Sequence, residues 1–183
     1  FVDSYAAAFK KSVFLEAGGF DPHFPVANNE DVDLSYKIAA QGHPMVFNPK
    51  AIVYHTHPDS MVRYLKLKFS RAYWRMLVYR RFPEKIVSDS YTPQSLKLQI
   101  LLAGLMLMSL AGGIFSSAAF TASLVFLGLF LLATIPFLTR SFGFDKGITL
   151  FCPVAVFLRS VAFGLGIVTG LLSQRRRNLL FPA

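Results

Sequence analysis

Between Leu98 and Leu138 the chain carries two apolar runs, Leu98–Phe115 and Ala118–Leu138, and neither contains an Asp, Glu, Lys or Arg. At about 1.5 Å per residue, each run wound as a helix comes close to the roughly 30 Å of a bilayer's hydrocarbon core. Only Ser116 and Ser117 separate them, so the two helices are expected to form a tight hairpin that returns to the side it left. That feature removes an ordinary soluble globule from consideration, and the composition agrees: 54% of the 183 residues are hydrophobic and 16% charged. The charge is also unevenly placed. Residues 1–97 hold nine of the ten acids and thirteen of the nineteen Lys and Arg, which divides the chain into a polar half and a membrane half.

Net charge is +9, and nine of the basic residues fall between Arg63 and Lys97, immediately ahead of the first apolar run. Basic residues at that place mark the cytoplasmic side of a membrane and attract anionic headgroups. No zinc-ligand, recognition-helix or aromatic RNA-binding motif accompanies them, which argues against nucleic acid as the partner. The outer ends of the hairpin, at Lys97 and at Arg140 and Lys146, fit a cytoplasmic placement under the same rule. A third apolar stretch, Ile148–Leu172, contains Pro153 and Arg159 and is followed by Arg175, Arg176 and Arg177. A complete crossing would put that arginine triplet outside and a re-entrant segment would keep it inside, so the stretch is read as a third transmembrane or re-entrant segment. The single cysteine, Cys152, excludes an internal disulfide. No initiator Met and no signal segment open the chain, which is expected to be a fragment with an upstream part missing.

In the polar half, Ser4–Phe9 is expected as a short buried strand and the following KKSVFLE as a short helix stopped by Gly18 and Gly19. A second helix is expected from Glu30, with Leu34, Ile38 and Ala39 on its inner face and Gly42 as its left-handed terminator. PMVFNP and AIVYHTHP, punctuated by Pro44, Pro49 and Pro58, are expected as two short strands, the second presenting His55 and His57 on one side. From Asp59 a mixed basic and apolar stretch with Tyr64, Tyr73, Trp74 and Tyr79 is expected as a helix lying in the headgroup layer.

The stretch NNEDVDLSYKIAAQGH crowds Glu30, Asp31 and Asp33 at the start of a helix. Carboxylates there can simply meet unpaired amides and the positive end of the dipole. They can also do chemistry.

Taken in order, AAAFKKSVFLEAGGFD (6–21), NNEDVDLSYKIAAQGHPMVFNP (28–49) and AIVYHTHP (51–58) resemble the second half of a glycosyltransferase family 2 catalytic domain, across roughly residues 1–80. The resemblance implies an α/β fold: a partial, Rossmann-like GT-A domain, followed here by an α-helical membrane anchor of two or three helices. It implies a nucleotide-sugar donor, a membrane-proximal or lipid-linked glycan acceptor, and inversion at the anomeric carbon. Asp31 is then the general base and Glu30 its companion. His55, or failing that His57, is then a ligand to a divalent metal, Mn²⁺ or Mg²⁺, whose other ligands come from an upstream D-x-D. Asp33, Gly19, Ala7 and Trp74 are the acceptor-side residues. Trp74 lies in RAYWR, which is distantly similar to the Q-x-x-R-W signature of processive synthases but has Lys68 at the Gln position and Ala72 and Tyr73 before the Trp, so addition of one or a few sugars is expected.

The expected organisation is thus 1–58, the acceptor-side part of the transferase domain; 59–97, a basic interfacial helix and linker; 98–138, the hairpin; 148–172, the third segment; and 173–183, a basic tail. The nucleotide-binding half is absent from this sequence, so the chain is expected to be inactive alone. The expected location is an inner or plasma membrane, multi-pass, with the catalytic part cytoplasmic. The alternative reading is a non-catalytic membrane scaffold or partner-binding subunit.

Overall fold

The structure, a computed structural model, describes residues 2–25, 27–87 and 92–180, with 174–180 described by backbone alone. The side chains of Arg175, Arg176 and Arg177 and the end of the expected tail at 173–183 lie outside the described residues. The elements are a 3₁₀ turn at Ser4–Ala6, helices α1 (Lys11–Glu16), α2 (Glu30–Ala40) and α3 (Met61–Arg81), a second 3₁₀ turn at Pro83–Ile86, and helices α4 (Gln94–Gly112), α5 (Ser117–Phe142) and α6 (Lys146–Leu180).

Among the described residues there is no strand, which overturns the expected α/β class. The reason is local. A strand persists only when its N–H and C=O groups pair with a neighbouring segment, and neither 44–49 nor 51–58 has such a ladder here. Burial does not support them either: Phe47 is 88% and Tyr54 100% exposed. At Ser4–Ala6 a turn replaces the expected strand, because the Asp3 carboxylate accepts the Tyr5 N–H at 3.3 Å and curls the chain.

The helix boundaries follow the punctuation of the sequence. Gly18 and Gly19 take φ of +80° and +66°, and their amides bond Leu15 O and Phe14 O to close α1. Gly42, at φ +80°, closes α2 through Ala39 O. Ser60 accepts the Arg63 N–H at the start of α3.

Helix α2 is held on two faces. Leu34 and Ile38, one turn apart, pack with Ala17, Phe9, Val13 and Phe14. Val32 and Tyr36 pack with Phe24, Val78, Trp74 and Phe82 on the α3 side. Ala39, expected on the inner face, is exposed.

In the membrane half α4 and α5 form the antiparallel pair expected of a two-residue connection, with Leu102, Ala103, Phe130 and Val156 forming the core they share with α6. Helices α4, α5 and α6 are each long and apolar enough to cross a membrane. Gln99 links the three: its Nε2 donates to Ala133 O at 2.9 Å and its Oε1 accepts from Arg159 Nη2 at 2.7 Å. Arg159, costly at membrane depth without a partner, thereby has one.

Helix α6 then runs onto α3. A Cβ added at Gly166 would strike Phe69 O and lie 2.7 Å from Ala72 Cβ, and one at Gly170 would lie 2.7 Å from Tyr73 O. The G-x-x-x-G spacing is therefore the place where two helix backbones meet.

Candidate active site

The N-terminal segment is laid over the start of α2 by Ser35, whose Oγ accepts the Val2 N–H at 2.9 Å. Ser35 lies one helical turn after Asp31, so this tether brings Asp3, Ser4 and Tyr5 above the Asp31 carboxylate. On the other side, Asn28 Nδ2 donates to Ser70 Oγ at 2.6 Å and Asn29 Nδ2 to Arg71 O at 2.9 Å, which fixes the entry to α2 against α3. Asn29 adopts φ +75°, a left-handed conformation that Asn tolerates better than most residues. The result is a cleft of about 70 Å³ whose lining includes Tyr5, Asn29, Glu30, Asp31 and Arg71.

The acids have separate environments. Asp31 Oδ1 accepts the Val32 N–H at 2.8 Å, and the Ser4 amide also bonds its carboxylate. Burial, Glu30 and Asp3 outweigh those two donors and push the Asp31 carboxyl above the usual carboxylate range. Glu30 Oε2 accepts the Asn28 N–H, so Glu30 braces the loop as well as crowding Asp31.

Asp33 is fully buried and faces away from the cleft, as residues two apart on a helix must. It accepts from Arg81 Nη1 at 2.8 Å and pairs with Lys37 at 2.8 Å. The same guanidinium pairs with Asp21 of the GGFD turn. Although burial opposes it, hydrogen bonds from His23 and Arg81 hold the Asp21 carboxyl down to about 2.

His55 and His57 do share a side: their ring centroids are 4.9 Å apart, in a T-shaped arrangement. His55 also stacks on Tyr5, with centroids 4.2 Å apart. Because Tyr5 lines the Asp31 cleft, the histidine pair sits beside its mouth. No group of three or more His, Cys, Asp or Glu able to hold a metal occurs among the described residues, which offer the histidine pair alone.

The other acceptor-side candidates lie elsewhere. Gly19 is buried against Phe14, where an added Cβ would come within 3.1 Å of the ring. Trp74 packs on Phe24 with centroids 5.8 Å apart, and Ala7 follows the 3₁₀ turn in extended conformation. None of the three lines the cleft. Tyr5, Asn28, Asn29 and Arg71, which do line it, were not singled out by the sequence. Their only signals were a polar pair just before the acids and an Arg within a degenerate RAYWR segment.

The family model described as Glycosyltransferase like family 2 matches residues 2–73, which contain the whole of this cleft and both histidines. Residues 2–73 thus match part of a glycosyltransferase family 2-like domain. No curated protein and no solved structure matches the chain. The matched region ends inside α3, the helix that α6 grips, so that region and the apolar helices share one element.

Proposed function

We propose that this chain is the acceptor-side and membrane-anchor portion of an inverting glycosyltransferase that moves a sugar from a nucleotide-sugar to a lipid-linked or membrane-proximal glycan, with Asp31 as general base. The observation that carries this reading is the Asp31 carboxylate, half-buried in a cleft and raised in pKa, beside the Tyr5–His55 stack. A cleft of about 70 Å³ has room for a hydroxyl and its carbon, against about 30 Å³ for a water in the liquid, while a sugar ring would lie over the rim.

In the reaction the acceptor hydroxyl donates its hydrogen bond to Asp31. As its oxygen forms the new bond to the anomeric carbon, the bond to the nucleoside diphosphate breaks on the opposite face and the hydroxyl proton passes to the carboxylate. Burial, with Glu30 and Asp3 nearby, makes Asp31 a stronger base than a solvated carboxylate. A divalent ion, when bound, would neutralise charge at the departing diphosphate, and His55 and His57 are the residues of this chain that would hold it. The remaining ligands and the nucleotide pocket belong to the other half of the domain.

The polar half is placed in the cytoplasm, above an inner or plasma membrane. Three residues separate the end of α5 at Phe142 from the start of α6 at Lys146, and the antiparallel hairpin brings that connection back to the head's side. Its far end is tied there too, since Tyr73 OH donates to Ser173 Oγ at 2.8 Å and α3 carries the head. Both ends on one side support an interface-lying α6 and a cytoplasmic arginine triplet, in keeping with the positive-inside rule.

The test is sugar transfer by the full-length protein in membranes. Asp31→Asn is expected to lower transfer by about a hundredfold or more, within the range a positioned base contributes, with membrane insertion unchanged. Unchanged transfer would reject Asp31 as the base.

A further inference from the structure

Asn28 and Asn29, the pair just before the acids, break local rules of helix initiation. An Asn at a helix N-cap ordinarily turns its side-chain oxygen onto an amide of the first turn. Asn29, the N-cap of α2, makes no such bond among the described residues. Its Nδ2 instead donates across to Arg71 O of α3, and its backbone sits at φ +75°. Asn28 donates to Ser70 Oγ, and its Oδ1 is buried with no partner among the described residues. A left-handed non-glycine residue, an unused cap and an orphaned amide oxygen each cost stability. Such costs, gathered at one spot, are expected where the arrangement serves function rather than folding.

What the pair secures is the orientation of α2. Leu34 and Ile38 on one face and Val32 and Tyr36 on another hold the helix by apolar packing, which has no direction of its own. Hydrogen bonds do have direction, and two of them run from consecutive residues ahead of α2 to consecutive residues of α3. Their anchorage is firm. The turn of α3 that carries Ser70 and Arg71 is the one that α6 grips, Gly166 closing on Phe69 and Ala72 and Gly170 on Tyr73. Asp31 stands two residues beyond Asn29, so a roll of α2 at its start swings the carboxylate across a cleft of only about 70 Å³.

We propose that Asn29, with Asn28 beside it, is a positioning residue for the transfer step: the pair fixes the roll of α2 against α3 and so aims the Asp31 carboxylate at the acceptor hydroxyl. Both side-chain amides are spent on α3, so the pair acts through Asp31. Ser70 is the outer member of this tether, since it holds Asn28 from outside the lining of the cleft. The inference rests on the transferase reading and adds to it the residues that orient the base.

The experiment measures kcat and KM for transfer by the full-length protein in membranes, and titrates Asp31 by NMR in the same protein, isotopically labelled at its aspartate carboxyl carbons. The Asp31 signal is the one missing from Asp31→Asn. Asn29→Gly tolerates the positive φ and removes the tether, while Ser70→Ala removes the partner of Asn28 without touching the cleft lining. Each is expected to lower kcat about tenfold or more with KM unchanged, since a misaimed base costs rate rather than binding. Each is also expected to move the Asp31 midpoint down toward that of a solvated carboxylate, because a looser cleft admits water to a group held up by burial, Glu30 and Asp3. Arg71, which faces the same cleft from α3, is kept in both variants. Ser70→Thr keeps the hydroxyl and is expected to restore both readouts. A lowered melting temperature with kcat and the Asp31 midpoint at wild-type values would show a purely structural tether and overturn the proposal, as would a Ser70→Thr protein no better than Ser70→Ala. Wild-type kcat in Asn29→Gly and Ser70→Ala while Asp31→Asn loses transfer would sink the positioning role alone, whereas transfer that persists in Asp31→Asn would sink the catalytic reading.

Discussion

Asp31 and Asp33 are two positions apart and have opposite fates, because a helix turns about 100° per residue and sends them to different surroundings. Asp31 looks into the cleft, and Asp33 is sealed against Arg81. The raised carboxyl of Asp31 has a kinetic consequence. A base must be deprotonated, so kcat/KM is expected to fall on the acid side with a midpoint above that of a solvent-exposed Asp, and the limb should vanish in Asp31→Asn. A pH–rate profile of the full-length transferase checks this. Asp21 works in the other direction. Its carboxyl is held down to about 2 from 3.8, so it stabilises the fold above pH 3.8 and that contribution is lost as pH falls through about 2. Arg81→Ala leaves both Asp21 and Asp33 without their shared guanidinium. It is expected to cost about 2–4 kcal/mol, toward the low side for a buried pair because Arg81 remains 31% exposed, and thermal unfolding in detergent measures it. The acidic trio was legible in the sequence as a cluster at the start of a helix, but the separate surroundings of its members were not. Which acid meets Arg81 depends on a contact 48 residues away.

At the scale of elements, periodicity and glycine punctuation placed α1, α2 and α3 well, since helix boundaries are decided by local caps. The strand expectations failed for the complementary reason. Residues 44–58 have strand-like composition, yet strand formation requires a partner segment, and sequence composition cannot supply one. Amides of 44–58 that bond no other backbone group are expected to exchange with solvent far faster than those of α2, as hydrogen exchange would read directly. The glycine pair of α6 shows a weak motif gaining meaning from its surroundings. At Gly166 and Gly170 an added Cβ meets backbone carbonyls of α3, which cannot rotate away as a side chain would. Gly166→Val is therefore expected to destabilise by about 3 kcal/mol, the upper part of the overpacking range, and to separate α6 from α3. Gly164→Ala, whose Cβ would stand 3.7 Å from Ile100, should have little effect in the same melting experiment.

As a whole, the molecule is a small helical head seated on a basic helix that is itself clasped by the membrane anchor. The two apolar runs were legible as helices long and apolar enough to cross a membrane, because length and lack of charge are read directly from sequence. The path of α6 was not legible, since its span-like composition and the arginines after it point to opposite sides. In a Cys152→Ser background, Ser173→Cys and Lys50→Cys are expected to react with an impermeant maleimide from the same side of a sealed vesicle, and Ser116→Cys from the other. Labelling of Ser173→Cys with Ser116→Cys would instead establish a full crossing. The central claim is that the Asp31 carboxylate serves chemistry at some expense of stability, while Asp33 does the reverse. Its most direct test is transfer rate and melting temperature measured together on Asp31→Asn and Asp33→Asn. The account predicts that Asp31→Asn loses transfer yet melts at or above the wild-type temperature, because the substitution removes a charge that burial disfavours, and that Asp33→Asn melts lower. An Asp31→Asn protein that transfers sugar normally, or that loses activity only by unfolding, would contradict it.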